Sequence, residues 1–192
     1  MTRLSSKGMH TAALVTVIGI GLSVTACRSG GASAPASAMP SVPASTPSRA
    51  TASPAEAASQ KATKAYLAMW DDVAVVAATS DWQSPRLADH TTGDALSVLS
   101  RQMYADHANG LITKGHPVSV PVVQSVEPQS APKTVMIRDC SDARGWLKYR
   151  TDTGKPADSE SGGKHLINAE VKLAVDGSWR VTRFAVAGIG SC

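Results

Sequence analysis

The chain has 192 residues, a formal charge of +4 and three cysteines. Lys and Arg stand singly along it rather than gathering into a basic face, so its basicity excludes a nucleic-acid partner. The length suits one domain of moderate size with segments to spare, not two full domains.

In chain order, the first feature is an address. Arg3 and Lys7 precede an apolar run from Ala12 to Val24, and Val24-Thr25-Ala26 leads into Cys27. This resembles the lipobox of bacterial lipoproteins: a signal over residues 1–26, with Cys27 the new amino terminus and the site of lipidation, palmitate among the acyl chains. Gly19 and Gly21 interrupt the run, which is short against the roughly 20 apolar residues of a spanning helix. Two acyl chains anchor stably where one does not. The implied place is the outer face of the cell membrane, in the cell envelope. Loss of Arg3 and Lys7 with the signal lowers the formal charge from +4 to +2.

Residues 27–54 are almost wholly Ala, Ser, Pro, Gly and Thr after Cys27 and Arg28. Such a segment buries too little apolar surface to offset its ordering entropy and reads as a disordered tether. Its root-mean-square reach is about 25–30 Å. The domain follows, over residues 55–192.

From Glu56 to Ala78, Ala58, Ala62, Ala65, Tyr66, Met69, Val73, Val76 and Ala77 fall on one helical stripe. Ser84-Pro85 reads as N-cap and first residue of a short helix ending near His90. Thr92 caps a second long helix, with Asp94 in its first turn and Ala95, Leu96, Leu99 and Met103 on its buried side. Asn109-Gly110 stops it.

The period then changes from 3.6 to 2. Val118, Val120, Val122 and Val126 alternate with Ser119, Pro121, Val123 and Ser125 in a strand whose Pro121 marks an edge or a bulge. Lys133–Cys140 and Trp146–Thr151 read as two more strands, followed by a polar, mobile loop from Asp152 to Gly163. The longest alternation places His165, Ile167, Ala169, Val171, Leu173 and Val175 on one face. Asp176-Gly177 then turns the chain into a last strand, Ser178–Ala187, whose alternation breaks near Arg183. Helices first and an antiparallel meander after give an α+β fold, the sheet curling around the helices.

With Cys27 lipidated, Cys140 and Cys192 remain, and in an exported domain they read as a disulfide. Asp139 and Asp142 beside Cys140 disfavour a thiolate, which argues against a reactive thiol.

The order and length of these elements resemble the NTF2-like superfamily, in which N-terminal helices pack on a curved antiparallel sheet to form a cone. More narrowly, the chain is similar to small actinobacterial lipoproteins of unassigned function. That likeness is carried by Ala65-Tyr66-Leu67-Ala68-Met69-Trp70, Thr79-Ser80-Asp81-Trp82, Thr92-Gly93-Asp94-Ala95-Leu96, Arg138-Asp139-Cys140, Trp146-Leu147-Lys148-Tyr149 and the ending Gly190-Ser191-Cys192. NTF2-like domains host isomerases, dehydratases, ligand-binding modules and assembly domains, so the fold leaves function open.

Such enzymes place acids, histidines or tyrosines inside an apolar cone. The candidates here are Tyr66, Trp70, Asp81, Trp82, His90, Asp94, Tyr104, His107 and Asp139, most of which have a plainer role as caps, connections or core. His90, His107, His116 and His165 are scattered without metal-ligand spacing, and no phosphate loop, GxGxxG or GxSxG occurs, so no catalytic residue, metal or cofactor is assigned. Four tryptophans against one phenylalanine is unusual usage, and Trp offers large area with one donor. Tyr66, Trp70, Tyr104, Trp146 and Trp179 are therefore the candidate ligand-pocket residues. The expected function is a lipid-anchored extracytoplasmic binding or accessory domain for a small apolar ligand or an envelope protein. The alternatives are an isomerase- or dehydratase-type enzyme, favoured by two buried titratable groups facing each other in a pocket, and an assembly module.

Overall fold

A computed structural model describes residues 52–158 and 162–192. The lipobox, Cys27, the tether up to Thr51 and the middle of the Asp152–Gly163 loop lie outside the described residues. No helix among the described residues is long and apolar enough to cross a membrane.

Helix α1 spans Pro54–Ala77 and starts two residues earlier than the apolar stripe alone predicts. Ser53 explains the difference: its Oγ accepts the Glu56 N–H at 3.2 Å, and Pro54 needs no partner in the first turn. All eight stripe residues are buried, joined by Trp70. Ser84-Pro85 opens only a 3-10 turn, Pro85–Ala88, before α2 at Gly93–Ala108. Thr92 stands at the N-cap of α2 but makes no side-chain cap bond. Its backbone N–H donates to Val181 O instead, and Val181 N–H returns to His90 O, which pins the start of α2 to the last strand.

The strands form two sheets rather than the single bent one expected. β1 (Leu111–Lys114) pairs antiparallel with β4 (Leu147–Arg150). β2 (Val122–Glu127), β3 (Thr134–Asp142), β5 (Lys164–Leu173) and β6 (Trp179–Val186) form an antiparallel sheet in that order. β1 has no counterpart in the sequence reading, because four residues directly behind a helix stop are too few to show a period. The first half of the polar loop is also more structured than expected: Arg150 N–H bonds Lys155 O, and Ala157 N–H bonds Lys148 O.

Two bulges bend the larger sheet. One falls in β6, where Val181 faces Val171 but Arg183 faces Glu170, leaving Thr182 as the extra residue at the predicted break. The other falls at Gln124 in β2 and separates Val126, which is buried, from Val118, Val120 and Val122, which are 56–66% exposed. Of the valines in the strand read from sequence, Val118 and Val120 lie ahead of β2 and, with Val122 at its start, face solvent.

α1 lies across the concave face, touching β2, β3, β5 and β6, while α2 touches β1 and β6. The core between them is built from Tyr66, Met69 and Val73 of α1, Leu99 and Met103 of α2, and Val135, Ile137, Ala169, Val171 and Val181 of the sheet. Burying a side chain of this size contributes about 1.5–3 kcal/mol. The described domain is thus α+β, helices packed on a curved antiparallel sheet, with the predicted Cys140–Cys192 disulfide formed on its convex side, Cα atoms 5.9 Å apart.

Where β1 leaves and β4 begins, Gly115 has φ +88° and a Cβ there would sit 1.9 Å from the Gly145 carbonyl oxygen. Gly115→Ala is expected to cost about 2 kcal/mol through strain at a positive φ and the displaced backbone. Urea unfolding measures it, and a loss below about half that would show that the two loops separate freely.

Candidate functional site

At one end of the concave face the sheet and α1 leave a cavity of about 240 Å³. Trp70 of α1 forms one wall, and Trp146, just before β4, another. Ile167 of β5, Val186 of β6, Pro117 and Ala143 complete the apolar lining, while Ser141 and His165 supply the polar groups. This volume exceeds the roughly 150 Å³ that holds a benzene in an engineered cavity. A larger recess of about 590 Å³ runs along Gln60, Lys64, Leu67 and Asp71, but it is the flank of α1 alone. Of these two, the first is walled by residues from several elements and has a mainly apolar lining.

Trp70 organises the cavity's aromatic wall. Its ring meets Trp146 and Phe184 edge to face, both at 5.8 Å, and Tyr66 at 6.3 Å. Such pairs contribute about 0.5–1.5 kcal/mol each beyond the area they bury. The indole N–H groups of Trp70 and Trp146 are buried and have no hydrogen-bond partner among the described residues.

One helical turn from Trp70, the Tyr66 hydroxyl donates to Asp139 Oδ2 at 2.9 Å, and the Val120 N–H donates to Asp139 Oδ1 at 2.7 Å. Tyr66 and Asp139 are 0% and 1% exposed, and neither lines the cavity. Burial pushes the Tyr66 phenol far above its usual pKa; the nearby Trp70 N–H opposes this, and the Asp139 charge adds to it. The two titratable groups thus face each other, but in a sealed interior that spends their hydrogen bonds on each other and on β2's approach. His165 at the cavity has its Nδ1 2.9 Å from Ala187 O.

The structure brings Trp70 and Trp146 together and places Tyr66 behind them. It does not bring in the other two residues proposed from sequence. Tyr104 is 56% exposed on α2, where it meets Trp82 edge to face at 5.4 Å. Trp179 lines a separate cleft with Lys61, Lys64 and His90. In that region His90 Nδ1 lies 2.6 Å from Asp72 Oδ2, while Arg86 donates to Asp72 Oδ1 at 3.0 Å. Sequence reasoning passed over Pro117, Ser141, Ala143, His165, Ile167 and Val186. Only the position of His165 and Ile167 on the inward face of β5 hinted at them.

No protein-family model matches the chain, and no curated protein matches it. Among solved structures it is similar to the intermembrane-space region of the chloroplast protein ARC6, at 11% identity and TM-score 0.46, covering 67% of this chain and 95% of that one. It is also similar to a ketosteroid isomerase-like protein from Erwinia carotovora atroseptica, at 12% identity and TM-score 0.39, over 66% of this chain and 92% of that one. A third similar structure is from Catenulispora acidiphila, at 10% identity and TM-score 0.42, over 68% and 91%.

Proposed function

We propose that this protein is a lipid-anchored extracytoplasmic binding domain that takes a small apolar ligand between Trp70 and Trp146. The observation that carries the reading is the cavity itself: six of its eight lining side chains are apolar or aromatic, drawn from α1, β5, β6 and the connections around β3 and β4. An isomerase-type reaction would need a base open to that space. The Tyr66–Asp139 pair is closed off from it, and His165 stands there without an acid beside it among the described lining residues. The anchoring half of the reading rests on the residues before Cys27 and on the tether after it.

Native mass spectrometry of the exported, oxidised protein tests the ligand. A small molecule held near one equivalent in the wild type and lost in Trp70→Ala supports the reading. A clean wild-type mass that also fails to take up added ethylbenzene or acetophenone overturns it. For the anchor, Cys27→Ser should leave the precursor unprocessed by the lipoprotein pathway and without acyl mass. Unchanged processing and unchanged membrane retention would refute it.

A further inference from the structure

We propose that the cleft beside Trp179 is a second binding site, for a phosphate group. It is independent of the cavity between Trp70 and Trp146. The cleft measures about 310 Å³ and is walled by three parts of the fold: Lys61 and Lys64 of α1, Asp89 and His90 ahead of α2, and Ser178 and Trp179 where the chain turns into β6. Small-molecule sites run from roughly 300 to 1,000 Å³, so this one suits a small ligand.

The cations in it are not spent on the fold. Lys61 and Lys64 stand one turn apart on α1, where like charges about 5–6 Å apart oppose the helix. No acid stands three or four residues from either along α1. Both side chains are exposed, and neither has an ion-pair partner among the described residues. His90 adds a ring held from behind: buried Asp72 takes its Nδ1 at 2.6 Å, and Arg86 donates to the other oxygen of that carboxylate. The nitrogens buried without partners are those of Trp70, Trp146 and Arg180, so His90 Nε2, which is also unpartnered, keeps accessible surface. It can share a hydrogen bond with a phosphate oxygen, either partner holding the proton. Asp89 is the opposing charge in the cleft, one carboxylate against two ammoniums.

Three separate donors suit a tetrahedral group with several oxygens. Lysines bind phosphate as point charges, whereas a planar carboxylate is best matched by an arginine fork. The cleft lining holds no arginine, and Arg86 behind it is committed to Asp72. An anion seated here relieves the repulsion between Lys61 and Lys64 and draws one contact from His90.

Glycerol 3-phosphate, succinate and glycerophosphoglycerol, the deacylated headgroup of phosphatidylglycerol, are titrated into the exported, oxidised protein at constant pH and about 0.15 M salt, where bare surface charge is screened. Glycerol 3-phosphate should bind about tenfold or more tighter than succinate. It should move the His90 Cε1–H resonance and leave that of His165 in place. Lys61→Gln and Lys64→Gln should each weaken it about tenfold, with unchanged melting because both side chains are exposed. Asp89→Asn should tighten it about threefold, a gain that misfolding cannot produce. Glycerophosphoglycerol binding more tightly than glycerol 3-phosphate assigns the phosphate to a lipid headgroup, and weaker binding assigns it to a free phosphomonoester; either supports the site. Succinate matching glycerol 3-phosphate overturns the phosphate assignment. No binding by any probe, or binding that survives loss of both lysines, overturns the site and leaves the apolar cavity untouched.

Discussion

Replacing Cys192 by serine is expected to lower the stability of the domain by about 4 kcal/mol, on the order of 10–15 °C in melting temperature. The bridge to Cys140 spans 52 residues, and closing a loop of that length removes a large share of the unfolded chain's freedom. The native side adds to this, because the bridge holds a tail that docks on the end of β5. Gly190 N–H donates to Lys164 O at 2.8 Å, and Leu166 N–H donates to Ser191 Oγ at 2.8 Å. A Cβ on Gly163 would meet the Ile189 side chain at 2.6 Å, so the tail lies close over the strand.

The same loss should reach the cavity. Cys140 faces the convex side of β3, and its neighbour Ser141 faces the cavity, while His165 and Val186 line the rim just before the docked tail. Thermal unfolding with and without reductant, alongside Cys192→Ser, measures the first effect, and acetophenone affinity the second. Reduced wild type and Cys192→Ser should agree with each other and bind more weakly than the oxidised protein. Melting within a degree or two of the oxidised protein would show that the bridge constrains little.

Periodicity carried most of the architecture into view, because it is a local property. The stripe on α1 and the alternation of β5 are each read from consecutive residues, and burial follows them closely from Ala58 to Ala77 and from Ile167 to Val171. The disulfide was legible for a different reason: only two cysteines remain after Cys27, and they had few other uses. The strand containing Val118, Val120 and Val122 went astray because the extra residue at Gln124 reverses which face each side chain takes, while Val122 and Val126 keep the same spacing across it, so the sequence shows no break there like the one near Arg183. The site was the least legible part. Choosing aromatic residues by type found Trp70 and Trp146, but the same criterion chose Tyr104 and Trp179, which the fold carries to other surfaces. Which end of a curved sheet stays open depends on pairings such as Asp139 with Ile167, across long separations in the chain.

One such long separation supports the second large prediction. Tyr66 and Asp139 lie 73 residues apart and meet in the fully buried interior. Tyr66→Phe removes the donor and leaves Oδ2 of a carboxylate without its partner, so the loss should be about 3 kcal/mol, near the upper end for a hydrogen bond to a charged group. Asp139→Asn should cost less. Its amide oxygen can still accept the Val120 N–H, and its amide nitrogen can donate to the Tyr66 oxygen, so both bonds survive the loss of charge.

The pH dependence separates the causes further. The phenol's folded pKa lies far above its unfolded value near 10, chiefly because burial disfavours the phenolate. Its contribution is therefore fully present below pH 10 and is lost as pH climbs above it, because the unfolded chain gives up that proton first. Wild type should lose stability above pH 10 more steeply than Tyr66→Phe, in denaturant melts taken from pH 8 to 11.5. Asp139→Asn should keep most of that steepness, since it removes the adjacent charge but not the burial. Equal alkaline slopes in wild type and Tyr66→Phe would mean that Tyr66 reaches solvent. The pair would then open on the cavity rather than sit sealed behind it, and the base that an isomerase needs would be present after all.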